Sequence, residues 1–278
     1  MKDLKNDENY NKINLFSEKI IKLIQTFIIK IQTCLKLFYC SAFNLNYLHF
    51  ENDQTINLCS SLLFNIGNLY SNIYDFFNLL LNDEIENFNK LLKKYKNISF
   101  DDLNIPIKFR LNFETKKLIL NLKNKKNIEN FINDDKNNNN KNNKNEEDGY
   151  LNVINKLKSI EKSQIPFEKM LIISSLPNLI TSNINDFYFS KENDYNYLKN
   201  PNYLNLISDD LISIFIYVLI KSQMSSILIH LKIMNDFIPN STQKNNYYIT
   251  TLKGAIQFIQ QDEIIKNNNN NNNFEINS

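Results

Sequence analysis

An almost entirely apolar run, residues 211–220, constrains the fold of this chain more than any other stretch. Ser213 is its only clearly polar residue. The run follows Ser208, Asp209 and Asp210, which suit the start of a helix because a serine hydroxyl can cap the first turn and acidic side chains are favoured at the positive end of the helix dipole. We predict a helix with Ser208 as its N-cap, buried on nearly every side and too short to cross a bilayer.

The rest of the chain also reads as helix. Only three of its 278 residues are glycine and five are proline, and the apolar residues of its long segments recur every three or four positions. This pattern predicts an all-α protein rather than a sandwich or barrel. Besides the helix at 208, the predicted helical segments are 13–43 (one helix or two in sequence), 55–81, 83–96, 151–160, 167–180, 227–237 and 247–259.

Two of these helices carry specific expectations about their course. Pro177 should kink or shorten the helix 167–180, because proline lacks the amide hydrogen that a helix interior needs. The last helix should be entered through Thr250 or Thr251, and the helix before it should end ahead of Pro239. Lysines spread along 13–43 also leave open a membrane-surface role for that segment, against the alternative of an ordinary bundle helix with solvated lysines.

Charge and cysteine content exclude several classes of protein. The formal net charge is +2 and Arg110 is the only arginine, so neither a strong positive field nor the bidentate forks used in nucleic-acid recognition are expected. Cys34, Cys40 and Cys59 are odd in number and lie in apolar helical context, which favours reduced thiols and a cytoplasmic setting over a disulfide framework. The N-terminus lacks the pattern of a signal peptide.

Catalysis by covalent chemistry is not expected either. The two histidines, His49 and His230, have no further Cys or His at metal-ligand spacing, so no metal site is predicted. The sequence shows no catalytic triad, glycine-rich phosphate loop or kinase signature. We expect no cofactor bound by the protein itself.

Three motifs along the C-terminal half resemble those of one known family. They are Asp209-Asp210-Leu-Ile with the apolar run behind it, a following helix that ends in Phe237, and Tyr247-Tyr-x-Thr250-x-Leu-x-x-Ala-Ile. Together they are similar to the catalytic half of the Vps-nine (vacuolar protein sorting nine) domain. The stretch 165–170, Ile-Pro-Phe-Glu-Lys-Met, is similar to the Pro-x-x-Lys-aliphatic signature of the preceding family helix, and 91–106 is a weaker match to an earlier one.

The resemblance implies a guanine-nucleotide exchange factor for endosomal Rab GTPases of the Rab-five group. Asp209 matches the family acid that enters the magnesium and phosphate site of the GTPase, and Tyr247 matches a functional tyrosine. Thr250 matches a supporting contact. The partner GTPase would carry the nucleotide and magnesium, and the protein would be cytoplasmic and recruited to early endosome membranes, with direct membrane contact left open.

The sequence departs from the family at two positions. Ser213 stands where the family commonly has proline, and Ile229-His230 stand where it often has Ser-Asn. Both Ser213 and His230 are candidate GTPase contacts, and we expect His230 at the GTPase-facing surface. The alternative reading is therefore a non-catalytic GTPase-binding or scaffold protein with a degenerate exchange domain.

The resemblance also implies a domain organisation. We expect an N-terminal helical bundle at 1–78, packed on a Vps-nine-type layer of helices at 79–262. Inside the second domain, about 108–148 is rich in Asn and Lys and lacks the apolar surface needed to order it, so a disordered insertion is predicted there. A disordered Asn-rich tail is predicted at 263–278.

Overall fold

The computed structural model describes residues 8–43, 61, 64–65, 68–112, 115, 149–189, 204, 206–238 and 243–261. Within these ranges the secondary structure is helical and contains no strand. The α-helices are α1 (Glu8–Phe43), α2 (Leu69–Leu80), α3 (Asn82–Lys94), α4 (Leu151–Lys158), α5 (Pro166–Phe189), α6 (Ser208–Ser222), α7 (Ile227–Phe237) and α8 (Gln243–Gln260). Short 3₁₀ helices occupy Ile107–Phe109 and Ser159–Lys162. The predicted all-α fold is confirmed.

The chain divides into two compact units, each assembled from separate stretches of sequence. The first unit comprises 1–85, 160–171 and 226–247, and the second comprises 86–159, 172–225 and 248–278. Both units therefore draw on the N-terminal and the C-terminal halves of the chain. The domain bounds predicted from the sequence, 1–78 and 79–262, stay a prediction.

In the first unit, α7 packs against α1 and α2. Their shared core consists of Ile28, Phe64, Ile73, Phe77, Ile229, Ile233 and Phe237. The rings of Phe64 and Phe237 meet edge to face with centroids 5.5 Å apart, and the Gln25 side-chain amide donates a 2.6 Å hydrogen bond to the backbone carbonyl of Asp236. The N-terminal helices thus bury their apolar faces on a helix from the C-terminal half.

In the second unit, α6 packs against α4. Leu211 and every residue of α6 from 214 to 220 are buried. The ring of Tyr217 stacks on Phe100 at 4.4 Å and meets Tyr150 edge to face at 6.2 Å. The prediction that this apolar run forms a largely buried helix is confirmed.

Three predicted helix boundaries are wrong. Helix α6 begins with Ser208 as its first helical residue, and the extended residue Ile207 holds the N-cap position. Helix α8 begins at Gln243, well before Thr250. Helix α5 continues through Pro177 to Phe189, because a proline removes only one backbone donor and apolar residues beyond it keep a buried stripe. That stripe consists of Ile180, Ile184 and Tyr188.

Described structure extends a few residues into the predicted insertion, whose bounds stay a prediction. Order extends past residue 108, because Phe109 and Leu111 are buried in the second unit. The Tyr150 hydroxyl donates a 2.7 Å hydrogen bond to the Phe109 carbonyl, and the Tyr188 hydroxyl donates one of 2.7 Å to the Lys108 carbonyl. Residues 116–148 and the tail 263–278 lie outside the described residues.

Candidate functional site

The carboxylates predicted to be functional lie in the first turn of α6. Asp209 is exposed, as are Ile207 just before it and Ile212 just after it. Asp210 is half-buried, and burial raises the pKa of its carboxyl above the usual value. The backbone of Ile207 and the Lys108 ammonium act in the opposite direction, whereas the neighbouring charge of Asp209 raises that pKa further. The first turn therefore presents one carboxylate to solvent and holds the other against the protein.

The opposite end of α6 is tied to the end of α3 by side chains. Gln223, in a left-handed conformation with φ of 53°, caps the helix, and its side-chain amide donates to the Leu92 carbonyl at 2.8 Å. The Lys221 ammonium donates to the Lys96 carbonyl at 3.1 Å. A helix that is buried along its length and fixed at its C-terminus positions Asp209 with little freedom, which favours a preorganised contact.

Ser213 lies one turn beyond Asp209 on the same face of α6, since residues four apart align along a helix. It is half-buried. The helix runs from Ser208 without interruption, so the proline common in the family is not needed to start it. The contact of Ser213 with a GTPase stays a prediction.

Tyr247 and Thr250 lie in α8, three residues apart and hence on one face of the helix. Tyr247 is 47% exposed and Thr250 is exposed. The opposite face is anchored by buried apolar residues, namely Ile249, Leu252, Ala255, Ile256 and Ile259. Although α8 begins earlier than predicted, both candidate residues stand on its accessible side.

His230 does not lie at an exposed surface, contrary to the expectation. It is 1% exposed, and its ring faces Tyr74 with centroids 5.7 Å apart. Eight of the eleven residues of α7 are buried, and His230 lies among them beside Ile229. Neither ring nitrogen has a hydrogen-bond partner, and burial, reinforced by the Lys169 charge, lowers the pKa of His230 to about 3.

A cavity of about 280 Å³ opens beside this histidine in the first unit. It is lined by Tyr70, Ser71, Tyr74, Glu161, Gln164 and His230. The Ser226 hydroxyl donates a 2.7 Å hydrogen bond to Glu161 at its rim. The neutral imidazole is therefore a wall of this cavity rather than a charged surface group, and its predicted contact with a GTPase stays a prediction.

Lys169 is a buried polar residue that no sequence-based expectation singled out. It is fully buried, its ammonium donates to the Ile160 carbonyl at 2.6 Å, and it lies 5.0 Å from the centroid of the Tyr70 ring. Burial lowers the pKa of Lys169 to about 8, against the opposing effect of Glu161 and Glu168. The signal that could have singled it out is its place in the Pro-x-x-Lys motif.

The described ranges hold neither of two other kinds of site. No three His, Cys, Asp or Glu side chains in this part of the protein are grouped so as to hold a metal ion. No helix within the same residues is both long and apolar enough to cross a membrane.

Comparison with known proteins finds a similarity to one family. The family model described as "Vacuolar sorting protein 9 (VPS9) domain" matches residues 150–264, less than half of the chain. Neither the curated proteins nor the solved structures contain a significant match. The matched segment includes α4 to α8 and therefore contains all the candidate GTPase contacts, namely Asp209, Ser213, His230, Tyr247 and Thr250. Residues 150–264 of this chain are therefore similar to a VPS9 domain.

Proposed function

We propose that this protein releases GDP from a Rab GTPase of the Rab-five group, with Asp209 as the residue that acts at the magnesium and phosphate site. The observation that carries the proposal is the position of Asp209, an exposed carboxylate in the first turn of an otherwise buried helix. The VPS9 match supports exchange on Rab GTPases in general. The choice of the Rab-five group and of Asp209 as the acting residue goes beyond that match.

Exchange requires no covalent step, because the factor has only to bind the nucleotide-free GTPase more tightly than the loaded one. In a loaded GTPase, phosphate oxygens hold the magnesium ion and the phosphate-loop lysine. A carboxylate brought to that place pairs with the lysine and repels the phosphates. Asp209 would thereby stabilise the state that has lost its nucleotide.

Two exposed isoleucines support this role for Asp209. Ile207 and Ile212 flank it and are 59% and 36% exposed. When a partner covers these side chains, water leaves the surroundings of the carboxylate, and its interactions with opposite and like charges become stronger. Burial of Asp209 under a partner without a cation would leave an unpaired charge, which disfavours binding. The surface therefore favours a partner that places a cation opposite Asp209.

Tyr247 and Thr250 would contact a switch segment of the GTPase from the exposed face of α8. A tyrosine at such a surface offers apolar ring area and a hydroxyl for hydrogen bonding. Ser213 would add a contact one turn along α6 from Asp209. His230 would act from within the first unit, as a wall of the cavity, rather than as a charged surface residue. Recruitment from the cytoplasm to early endosomes follows from the proposed Rab partner.

The competing proposal is a non-catalytic protein that binds a GTPase without releasing its nucleotide. Ser213 and His230 favour it, because both depart from residues common in the family. The two proposals differ in one measurable quantity, the rate of nucleotide release from a bound Rab.

The test is the release of a fluorescent GDP analogue from purified Rab-five-type GTPases, with wild-type protein and Asp209→Ala in parallel. Asp83→Ala is the matched control, since Asp83 is likewise the exposed second residue of a helix, α3. We expect wild type and Asp83→Ala to accelerate release and Asp209→Ala to lose that acceleration. Loss of a first-turn acid should cost only about 0.3–1 kcal/mol of folding stability.

Two outcomes would count against the proposal. Equal release with wild type and Asp209→Ala would remove Asp209 from the exchange reaction. Binding of a Rab without accelerated release, by a protein whose helical circular dichroism is intact, would establish the non-catalytic alternative.

A further inference from the structure

Helix α1 exposes a stripe of large apolar side chains that the first unit does not cover. Phe16, Ile20, Leu23 and Phe27 are 64%, 41%, 70% and 51% exposed. At 100° per residue these four side chains lie within roughly 60° of the helix circumference. They follow one another at intervals of four, three and four residues, so they form one continuous surface and not scattered exposed residues.

The core-facing side of α1 lies about 110° around the helix from the centre of the stripe and is firmly attached to the first unit, so the stripe is outside that packing. Ile28 is fully buried in the core shared with α2 and α7. Gln25 donates to the Asp236 carbonyl at 2.6 Å. Ile21, Ile24 and Ile31 pack against the same core. The core side of α1 therefore already has a partner, whereas the stripe does not belong to the packing of the unit.

Positive charge borders the stripe on one flank. Lys19 and Lys30 are exposed beside the stripe, whereas Lys22 lies farther around the same flank, one turn from Glu18, the one acidic side chain described in α1. The hydroxyls of Thr26 and Thr33 in this flank donate to the α1 backbone carbonyls of Lys22 and Ile29, at 2.7 and 2.9 Å. Those threonines thus turn their polar groups back to the helix.

The charge decides which occupant suits this surface. Lys30 continues the line of the stripe three residues after Phe27, so a parallel pair of α1 helices along it would bring like charges together. An anionic lipid surface meets the same pattern favourably, because the apolar side chains enter the acyl boundary while the lysines reach the headgroups. We propose that the stripe Phe16–Ile20–Leu23–Phe27, with its lysine flank, docks the protein on an anionic membrane surface.

This docking goes beyond nucleotide exchange and does not depend on it. The α1 stripe belongs to the first unit, whereas Asp209 belongs to the second. The GTPase is not needed for the lipid contact. Docking can therefore be measured with the protein alone, and its failure leaves the exchange proposal untouched.

The experiment is co-sedimentation of the full chain with phosphatidylcholine vesicles prepared with and without phosphatidylserine. We expect binding to the anionic vesicles and little to the neutral ones, weakening as salt is added. Leu23→Ser should reduce partitioning about tenfold, since a large apolar side chain is lost from the contact. The matched control is Leu79→Ser in α2, which is 79% exposed and apolar but lies away from the stripe.

The charge contribution has its own pair of variants. Lys19→Gln with Lys30→Gln should weaken binding about fivefold for each lysine removed. Lys156→Gln with Lys158→Gln removes two exposed lysines from α4 and should change nothing. Retained helical circular dichroism and an unchanged urea midpoint confirm that each variant is folded.

Three results would overturn the docking proposal. One is wild-type protein that stays in the supernatant with anionic vesicles. Another is equal loss of binding in the stripe variants and their matched controls. The third is a dimer in sedimentation equilibrium that Leu23→Ser dissociates, because the stripe would then be covered by a second copy of the chain.

Discussion

The ammonium group of Lys169 donates a 2.6 Å hydrogen bond to the backbone carbonyl oxygen of Ile160, inside the first unit. The lysine is fully buried, and its stem and charge lie beside the Tyr70 ring. A buried ammonium is costly unless it is hydrogen-bonded. This hydrogen bond links the first turn of α5 to the 3₁₀ helix Ser159–Lys162. Burial nevertheless lowers the pKa of Lys169 to about 8.

Lys169 should make stability rise with pH in the mildly alkaline range. The unfolded lysine keeps its proton up to the ordinary lysine pKa of 10.5, whereas the folded one loses it near 8. Between these values the unfolded state binds more protons, so the free energy of unfolding increases with pH. The burial penalty on the charged form is fully present below pH 8. We expect wild type to gain on the order of 1 kcal/mol from pH 8 to 9.5 relative to Lys169→Met.

Urea denaturation at pH 7.5, 8, 9 and 9.5 measures this difference. The upper limit avoids tyrosine ionisation, since the pKa of Tyr70 is raised by burial and would reverse the slope above pH 10. Lys158→Met removes an exposed lysine and should follow wild type. Lys169→Met will be less stable at every pH because the Ile160 carbonyl loses its donor, so the pH slopes are compared. Parallel slopes for wild type and Lys169→Met would contradict the prediction.

His230 should make the protein sensitive to mild acid. Its pKa is about 3 in the folded protein, against 6.5 for an ordinary histidine, so below pH 6.5 the unfolded state gains a proton that the folded state does not. Stability is then lost as the pH falls. We expect wild type to lose about 2 kcal/mol from pH 7.5 to pH 5 relative to His230→Phe.

The phenylalanine variant keeps a ring beside Tyr74 and removes two nitrogens that have no hydrogen-bond partner. Its stability at pH 7.5 should therefore equal or exceed that of wild type. Urea midpoints of wild type and His230→Phe at pH 7.5, 6.5, 5.5 and 5 test both the stability of the variant at pH 7.5 and its smaller loss of stability in acid. A variant that loses as much stability in acid as wild type would show that another group is responsible.

Tyr247 should contribute to exchange through its ring more than through its hydroxyl. It is 47% exposed on α8, so truncation costs little folding energy but removes a large contact area from a partner. We expect Tyr247→Ala to lower the rate of GDP release about tenfold or more, and Tyr247→Phe to lower it less. Gln257→Ala, an exposed position on the same helix, should leave the rate unchanged. Equal rates for all three variants would remove Tyr247 from the site.

Two glycines of the second unit should respond to alanine in opposite directions. A Cβ on Gly149 would collide with the side chain and backbone carbonyl of Leu111, while the Gly149 carbonyl accepts a 2.9 Å hydrogen bond from Asn183. Gly149→Ala should lower the free energy of unfolding by on the order of 1–3 kcal/mol. A Cβ on Gly254, within α8, would meet nothing within 4 Å. Gly254→Ala should therefore raise stability by about 0.5–1 kcal/mol.

Differential scanning calorimetry of the two variants and wild type is the measurement. A higher melting temperature for Gly254→Ala and a lower one for Gly149→Ala are expected. A melting temperature for Gly149→Ala at or above that of wild type would mean that the 111–149 contact yields without cost.

Much of the fold was predictable because its signals are local. The apolar run behind Asp209 required a buried helix, and α7 ends at Phe237, as its spacing and the following Pro239 indicated. Boundaries without such signals were missed. The polar residues 243–246 contain no pattern that indicates the start of α8. The continuation of α5 beyond Pro177 depends on burial of the residues that follow it.

The places of the candidate residues in the helices were predictable in part, for the same reason, and their roles stay predictions. The place of Asp209 in a first turn follows from a short pattern, whereas Thr250 lies inside α8 and not at its start as predicted. The burial of His230 does not follow from such a pattern, because a single histidine can lie on either the buried or the exposed face of an apolar helix. Its partner Tyr74 comes from α2, far away in the sequence.

The sequence by itself determined that the chain is helical, which residues line α6, and that the Asp-Asp and Tyr-Tyr-x-Thr motifs resemble those of an exchange domain. These properties depend on residues within a few positions of one another. Only the tertiary structure decided that Lys169 and His230 are buried, that α1 packs on α7, and that the apolar stripe of α1 is left outside. Burial of a side chain depends on which distant segments cover it, and that information is not contained in any single helix.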